Sequence, residues 1–198
     1  MSSQQKSVVL VHGMTDTSAV FKPMTRFLEQ RGWRVHSLDL MPSNGDLELD
    51  HLATQLEQFI TANLLGEQSF DLVGFSMGGL VSRYYVQRLG GLERVQRLVT
   101  IASPHNGTLA AHLSKRPGCV QMRPNSTFLL DLNRDIHQLE KLRFTSIWTP
   151  MDLMIVPAHS SIVPVGRNLK VSVPLHAWMV SDTRAINVVT TVLEEPLP

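Results

Sequence analysis

At 198 residues the chain has the size of one domain and the length to bury a sizeable core, and with 43% hydrophobic and 18% charged residues it has the make-up of an ordinary globular protein. A net charge of +1, with the basic residues dispersed, offers a polyanion nothing to hold, so nucleic acid is excluded as a partner. The single cysteine, Cys119, cannot make an intramolecular disulfide and stands in no Cys-x-x-Cys or Cys/His metal spacing. Fold and chemistry are expected to do without it.

The N-terminal stretch Met1-Ser2-Ser3-Gln4-Gln5-Lys6-Ser7 is polar, and only four apolar residues separate it from His12, too few for the apolar run of a secretory signal. No stretch reaches the roughly 20 apolar residues of a membrane span. The expectation is a cytoplasmic protein with no integral membrane segment. Val8 to Val11 is a β-branched apolar run, suited to a strand buried on both faces of a parallel sheet, and it ends at His12-Gly13-Met14. After the polar cluster Thr15-Asp16-Thr17-Ser18, Val20, Phe21, Met24, Phe27 and Leu28 recur with a helical period that Gly32 stops, and Pro23 falls in the first turn, where it is tolerated. Trp33 to Leu40 gives a second strand, the segment from Pro42 to Asp46 a turn, and Leu52, Leu56, Phe59 and Ile60 one face of a helix that starts near Leu49.

Phe70 to Leu80 then reads as strand, sharp turn and helix, with Ser76 at the turn inside Gly74-Phe75-Ser76-Met77-Gly78. Strand and helix backbones meet so closely there that side chains at Gly74 and Gly78 would clash. A serine so placed projects its hydroxyl off the end of the sheet, beside the N–H groups that open the helix. Leu80, Val81, Tyr84, Tyr85 and Leu89 form that helix's buried face, and Gly90-Gly91 ends it. Val95 to Ile101 is a fourth strand, running into Ser103-Pro104-His105-Asn106-Gly107. The aperiodic residues 107–126 are expected as a loop over one end of the sheet, followed by a short helix from Ser126 to Asn133. Phe144 to Thr149 is a fifth strand, Leu169 to Val173 a sixth, and Thr183 to Leu193 the last helix, with Asp182 as its N-cap.

Alternating strands and helices imply one α/β domain over residues 1–198, a minimal, doubly wound and mostly parallel sheet of about six strands flanked by helices. Ligands of such sheets bind beyond the carboxyl ends of the strands, where every motif above lies.

With these residues in view, the chain resembles the bacterial lipase and esterase branch of the α/β-hydrolase superfamily, in particular its small, nearly lidless serine lipases. The resemblance rests on Val9-Leu10-Val11-His12-Gly13-Met14, the Ser76 turn, Ser103-Pro104-His105-Asn106-Gly107, Asp152 and His176, which stand in the superfamily's order of serine, acid and histidine. It implies Ser76 as nucleophile and His176, directly after the last strand, as the base that takes the serine proton and later hands it to the leaving group. Asp152, in Pro150-Met151-Asp152-Leu153-Met154, is then the acid that orients His176. A turn-forming Asp152 and a solvated His176 are the plainer alternatives. The backbone N–H groups of Met14 and Met77 are implied as the oxyanion hole. His12 and His105 are expected to brace their loops, and Asp131 and Asp135 to be surface charges.

Leu109, Leu113, Met151, Met154, Ile162 and Trp178 are candidates for an acyl pocket. No metal or cofactor is expected. The implied activity is hydrolysis of small-molecule or lipid esters through an acyl-enzyme. A thioesterase or amidase with the same three residues, and a slow-turnover ligand-binding relative, remain alternatives; the sequence leaves the oligomeric state open. Because residues 107–126 are too few to form a helical lid, the site is expected to stand open in solution.

Overall fold

The computed structural model describes residues 6–197, so Met1 to Gln5 of the polar N-terminal stretch lie outside the described residues. Strands β1 (Ser7–Val11), β2 (Arg34–Leu38), β3 (Phe70–Phe75), β4 (Val95–Ile101), β5 (Arg143–Trp148) and β6 (Arg167–Lys170) form one sheet. Its order is β2-β1-β3-β4-β5-β6, and every neighbouring pair is parallel. Six helices join them: α1 (Lys22–Glu29), α2 (Leu49–Asn63), α3 (Met77–Arg88), α4 (Pro117–Gln121), α5 (Thr127–Arg134) and α6 (Thr183–Glu194). No helix of the described residues is long and apolar enough to cross a membrane.

β1 and β3 are buried at every position, so both faces of each need apolar cover. Successive side chains supply it alternately. Val9, Val11 and Leu72 enter a core with Leu52, Leu56, Leu80 and Leu129 of α2, α3 and α5, whereas Val8, Leu10, Val73 and Phe75 pack with Met24, Leu28, Ile186 and Val189 of α1 and α6. Each such side chain contributes roughly 1.5–3 kcal/mol by leaving water.

The chain runs from β1 outward to β2 and then back across β1 to β3, so the winding reverses between β1 and β3. Loops leaving the carboxyl ends at such a reversal part to opposite faces and leave a crevice. Val11 pairs with Gly74 in the β1–β3 register, which sets the His12-Gly13-Met14 loop beside the Ser76 turn.

The structure shifts several expected boundaries. β6 is the edge strand Arg167–Lys170, earlier than Leu169 to Val173. Val171 N–H still donates to Trp148 O of β5 (2.8 Å), but Val173 N–H turns back onto Val171 O (3.1 Å), and both valines sink into the core beside α6. β2 stops at Leu38, because Leu40 N–H donates to His12 Nε2 (2.9 Å) in place of a strand partner. Residues 107–126 are more ordered than a loop: they hold a 3₁₀ turn at Leu109–Leu113 and α4, both too short for a periodic signal.

Candidate active site

The turn after β3 sets the geometry. Ser76 takes φ 53° and ψ −122°, a left-handed backbone that costs a non-glycine residue on the order of 1–3 kcal/mol, and its N–H is held by Ile101 O of β4 at 2.8 Å. A Cβ on Gly74 would lie 2.6 Å from Gly78 O, and one on Gly78 would run into the carbonyl oxygens of Val11 and His12. Strand, turn and helix come together because both positions lack a side chain.

The structure brings together Ser76, His176 and Asp152, which lie far apart in sequence. His176 Nε2 is 3.0 Å from Ser76 Oγ, and His176 Nδ1 is 2.8 Å from Asp152 Oδ2. A carboxylate accepts only, so Nδ1 carries the proton and Nε2 is free to accept the serine hydroxyl. Asp152 is 6% exposed, and its other oxygen accepts Met154 N–H (2.9 Å) and Ile155 N–H (2.8 Å). One Asp152 oxygen thus meets the two N–H groups of its own turn, and the other meets the His176 ring. Thr149 fastens the frame: its hydroxyl donates to Val173 O (2.7 Å), tying the end of β5, which leads to Asp152, to the segment that leads to His176. The Phe75 ring covers the imidazole at 4.9 Å between centroids.

The N–H groups of Met14 and Met77 donate to no protein acceptor among the described residues. His12, fully buried, donates from Nδ1 to Gly13 O (2.8 Å) while its Nε2 accepts Leu40 N–H, which fixes the loop that presents Met14. His105 is also buried; its Nε2 donates to Thr100 Oγ1 (2.8 Å) and its Nδ1 accepts from Arg83 (3.3 Å). Burial, aided by the Arg83 cation, pushes its pKa well below the ordinary imidazole value and keeps the ring neutral. Both histidines brace loops. Arg83 itself is fully buried, with its pKa lowered to about 9 by burial, and is held by Gln87, His105, Asn133 and Leu132 O. That cage pins the Pro104–Thr108 loop and α5 to α3. Asp131 and Asp135 pair with Arg88 at 2.8 and 2.9 Å, and Asp182 caps α6 through Arg184 N–H.

A cavity of about 550 Å³ opens beside Ser76 and His176. Of the six pocket candidates, Leu113 and Met154 line it, at its exposed rim; Leu109, Met151, Ile162 and Trp178 do not. Leu109 is held by its N–H on Val156 O and turns its side chain to solvent, as do Met151 and, one 3₁₀ turn past His176, Trp178. Ile162 is drawn away by Asn106, which donates to its carbonyl. The Met77 side chain lies in the core under α3, whereas the Met14 side chain lines the cavity, its Sδ 3.6 Å from Cys119 Sγ. Cys119, expected to take no part, lines the cavity as well, together with Ala111, Met122 and Ile155. Cys119 and Met122 stand three apart at α4, a spacing that faces one side, but five helical residues give too little period to reveal it. Asp16, read only as part of a polar cluster, also borders the cavity.

A parallel sheet with a left-handed serine at the end of β3, backed by a histidine and a buried carboxylate, defines an α/β-hydrolase. The family model for palmitoyl protein thioesterase matches residues 7–125, more than half of the chain, and the chain belongs to that family. Among curated relatives, palmitoyl-protein thioesterase 3 of Dictyostelium discoideum is 28% identical over 110 residues, covering 53% of this chain and 38% of its own length. The chain thus spans well under half of that relative. Among solved structures, the mature lipase of Bacillus licheniformis aligns with a TM-score of 0.78 at 17% identity, over 96% of this chain and 92% of its own. Lipase B of Aspergillus fumigatus aligns with a TM-score of 0.82 at 16% identity, over 98% of this chain and 54% of its own. These likenesses show the shared fold.

Proposed function

We propose that the chain is a serine hydrolase of acyl thioesters and carboxylic esters that works through an acyl-enzyme on Ser76. The observation that carries the reading is the continuous hydrogen-bonded path from Ser76 Oγ through His176 to Asp152. His176 Nε2 takes the hydroxyl proton as Oγ attacks the acyl carbon, and Asp152 stabilises the imidazolium that forms. The oxyanion is received by the free N–H groups of Met14 and Met77, each worth roughly 2.7–4 kcal/mol in such a role. Collapse breaks the bond to sulfur or oxygen, the leaving group takes the proton from Nε2, and water then repeats the sequence in reverse to release the acid and restore Ser76.

Family membership favours the thioester, and the apolar cavity beside Ser76 suits a fatty-acyl chain. The test is steady-state hydrolysis of matched S-octanoyl and O-octanoyl substrates by purified protein. Turnover of the thioester with the higher kcat/KM, abolished in Ser76→Ala, is the expected result. Turnover unaffected by Ser76→Ala, or none of either substrate, contradicts the proposal.

A further inference from the structure

The cavity wall holds a second carboxylate that the Ser76–His176–Asp152 path does not use. Thr15, left-handed at φ 61°, reverses the chain after Met14. Its N–H donates to Ser43 O (2.9 Å), and Ser43 Oγ donates to Asp16 O (3.0 Å), so the backbone of Asp16 is pinned on both sides. Its side chain, in contrast, has no hydrogen-bond or ion-pair partner among the described residues. A Cβ built on Gly13 would lie 3.2 Å from Asp16 Oδ2 and 3.1 Å from Ser76 Cβ, so carboxylate and nucleophile flank the same small space. Partial burial raises the pKa of Asp16, against the opposing pull of His12 and His176, as an unpaired carboxylate facing a low-dielectric wall requires.

An unpaired negative charge so near the forming oxyanion works against the reaction of a neutral ester. A cation carried by the substrate reverses that effect. The apolar walls, Ala111, Cys119, Met122 and Ile155, are where an acyl chain fits, which leaves the Thr15–Asp16 side of the cavity for the alcohol or thiol. We infer that Asp16 is a specificity-determining residue that selects substrates whose leaving group carries a positive charge close to the scissile bond. The inference rests on the hydrolase reading above and adds to it the class of leaving group. Two sources share that chemistry: a small quaternary-ammonium thiol, and a cysteine flanked by lysine in a peptide.

Two matched pairs of S-octanoyl thioesters separate them. One pair is the thiocholine ester and its carbon isostere, with tert-butyl in place of trimethylammonium. The other is an S-octanoyl-cysteine peptide with lysine or with glutamine as flanking residues. Unit charges roughly 5–6 Å apart predict a preference in kcat/KM for the cationic member of about threefold at the dielectric of bulk water, rising to about a hundredfold at that of a protein surface. Asp16→Asn should bring that ratio close to one, and because the ratio is taken within a pair, loss of folded protein cancels. In the unaltered protein the ratio should also shrink as NaCl rises from about 0.02 to 0.5 M, as screening requires. A preference in either pair that behaves so upholds the assignment, and the pair that shows it identifies the source.

Ratios near one in both pairs, or a preference that Asp16→Asn retains, overturn it. Binding of the same four compounds to Ser76→Ala protein, read by calorimetry, reports the charge preference without turnover. Tighter binding of the cationic members with no turnover by the unaltered protein would uphold Asp16 and overturn the hydrolase reading.

Discussion

Exchanging Asp152 for Asn changes the site by one charge and almost no volume, and the structure gives both of its consequences. Asp152 Oδ1 accepts Met154 N–H and Ile155 N–H, two donors that only a carbonyl oxygen satisfies, so the Asn amide must place its oxygen there. Its NH₂ group then faces His176 Nδ1 across the 2.8 Å gap and can only donate. The imidazole is forced into the Nε2–H tautomer, which cannot accept the proton of Ser76. The corresponding exchange in serine proteases lowers kcat by about 10⁴, or about 5 kcal/mol of barrier. Stability should change little, because the turn keeps its two acceptor bonds. Asp152→Ala removes them and leaves a buried N–H at Ile155, costing roughly 1–3 kcal/mol, which at this chain length lowers Tm by roughly 2–4 °C per kcal/mol. Paired measurements of kcat and Tm check this: Asn should lose activity and hold Tm, and Ala should lose both. A drop in kcat under tenfold for a folded Asn variant would refute the assignment of the acid.

At the opposite end of the sheet Asp71 is buried against Arg97 (3.0 Å), and burial raises its pKa to about 6. The native state therefore holds an extra proton between about 4 and 6, so this residue's contribution to stability falls by about 3 kcal/mol as pH rises through that window. In denaturant titrations from pH 4 to 7 the unaltered protein and Asp71→Asn should differ by that slope, since the opposite contribution of the buried neutral His105 is common to both; equal slopes contradict the prediction. Met122 is buried in the cavity wall, so Met122→Trp should lower kcat/KM for a dodecanoyl ester at least about tenfold relative to a butanoyl ester, and equal losses for both would place the acyl chain elsewhere. Leu113 is 92% and Leu153 78% exposed at the rim, so rate against ester concentration should saturate smoothly below the solubility limit; a rise only when droplets form would mean that the rim closes in solution.

Much of this architecture was legible because its signals are local. The run from Val8 to Val11, the helical spacing around Met24 and Leu56, and the glycines flanking Ser76 each answer to contacts within a few residues. His176 and Asp152 were legible as positions after the last strands, from order along the chain and resemblance. The cavity was not. It is built from Cys119 on a five-residue helix and Met122 at that helix's C-cap, from Ala111 in a 3₁₀ turn and from Ile155 in the turn that Asp152 caps, and segments this short carry no period. Leu109 and Trp178, which the sequence offers as pocket, face water because their backbone bonds fix the turns that carry them. Nothing in the sequence singles out Arg83, which α5 and the His105 loop fold over and leave fully buried.

The proposed chemistry stands on Ser76 as a nucleophile activated by His176. The most direct measurement is mass-spectrometric mapping of the native protein after treatment with a fluorophosphonate, which forms a stable bond only with such a serine. One label per chain is expected on Ser76, absent from denatured protein and from Ser76→Ala, and formed far more slowly in His176→Gln. A label on another serine with Ser76 untouched, or no label on the native protein, would contradict it.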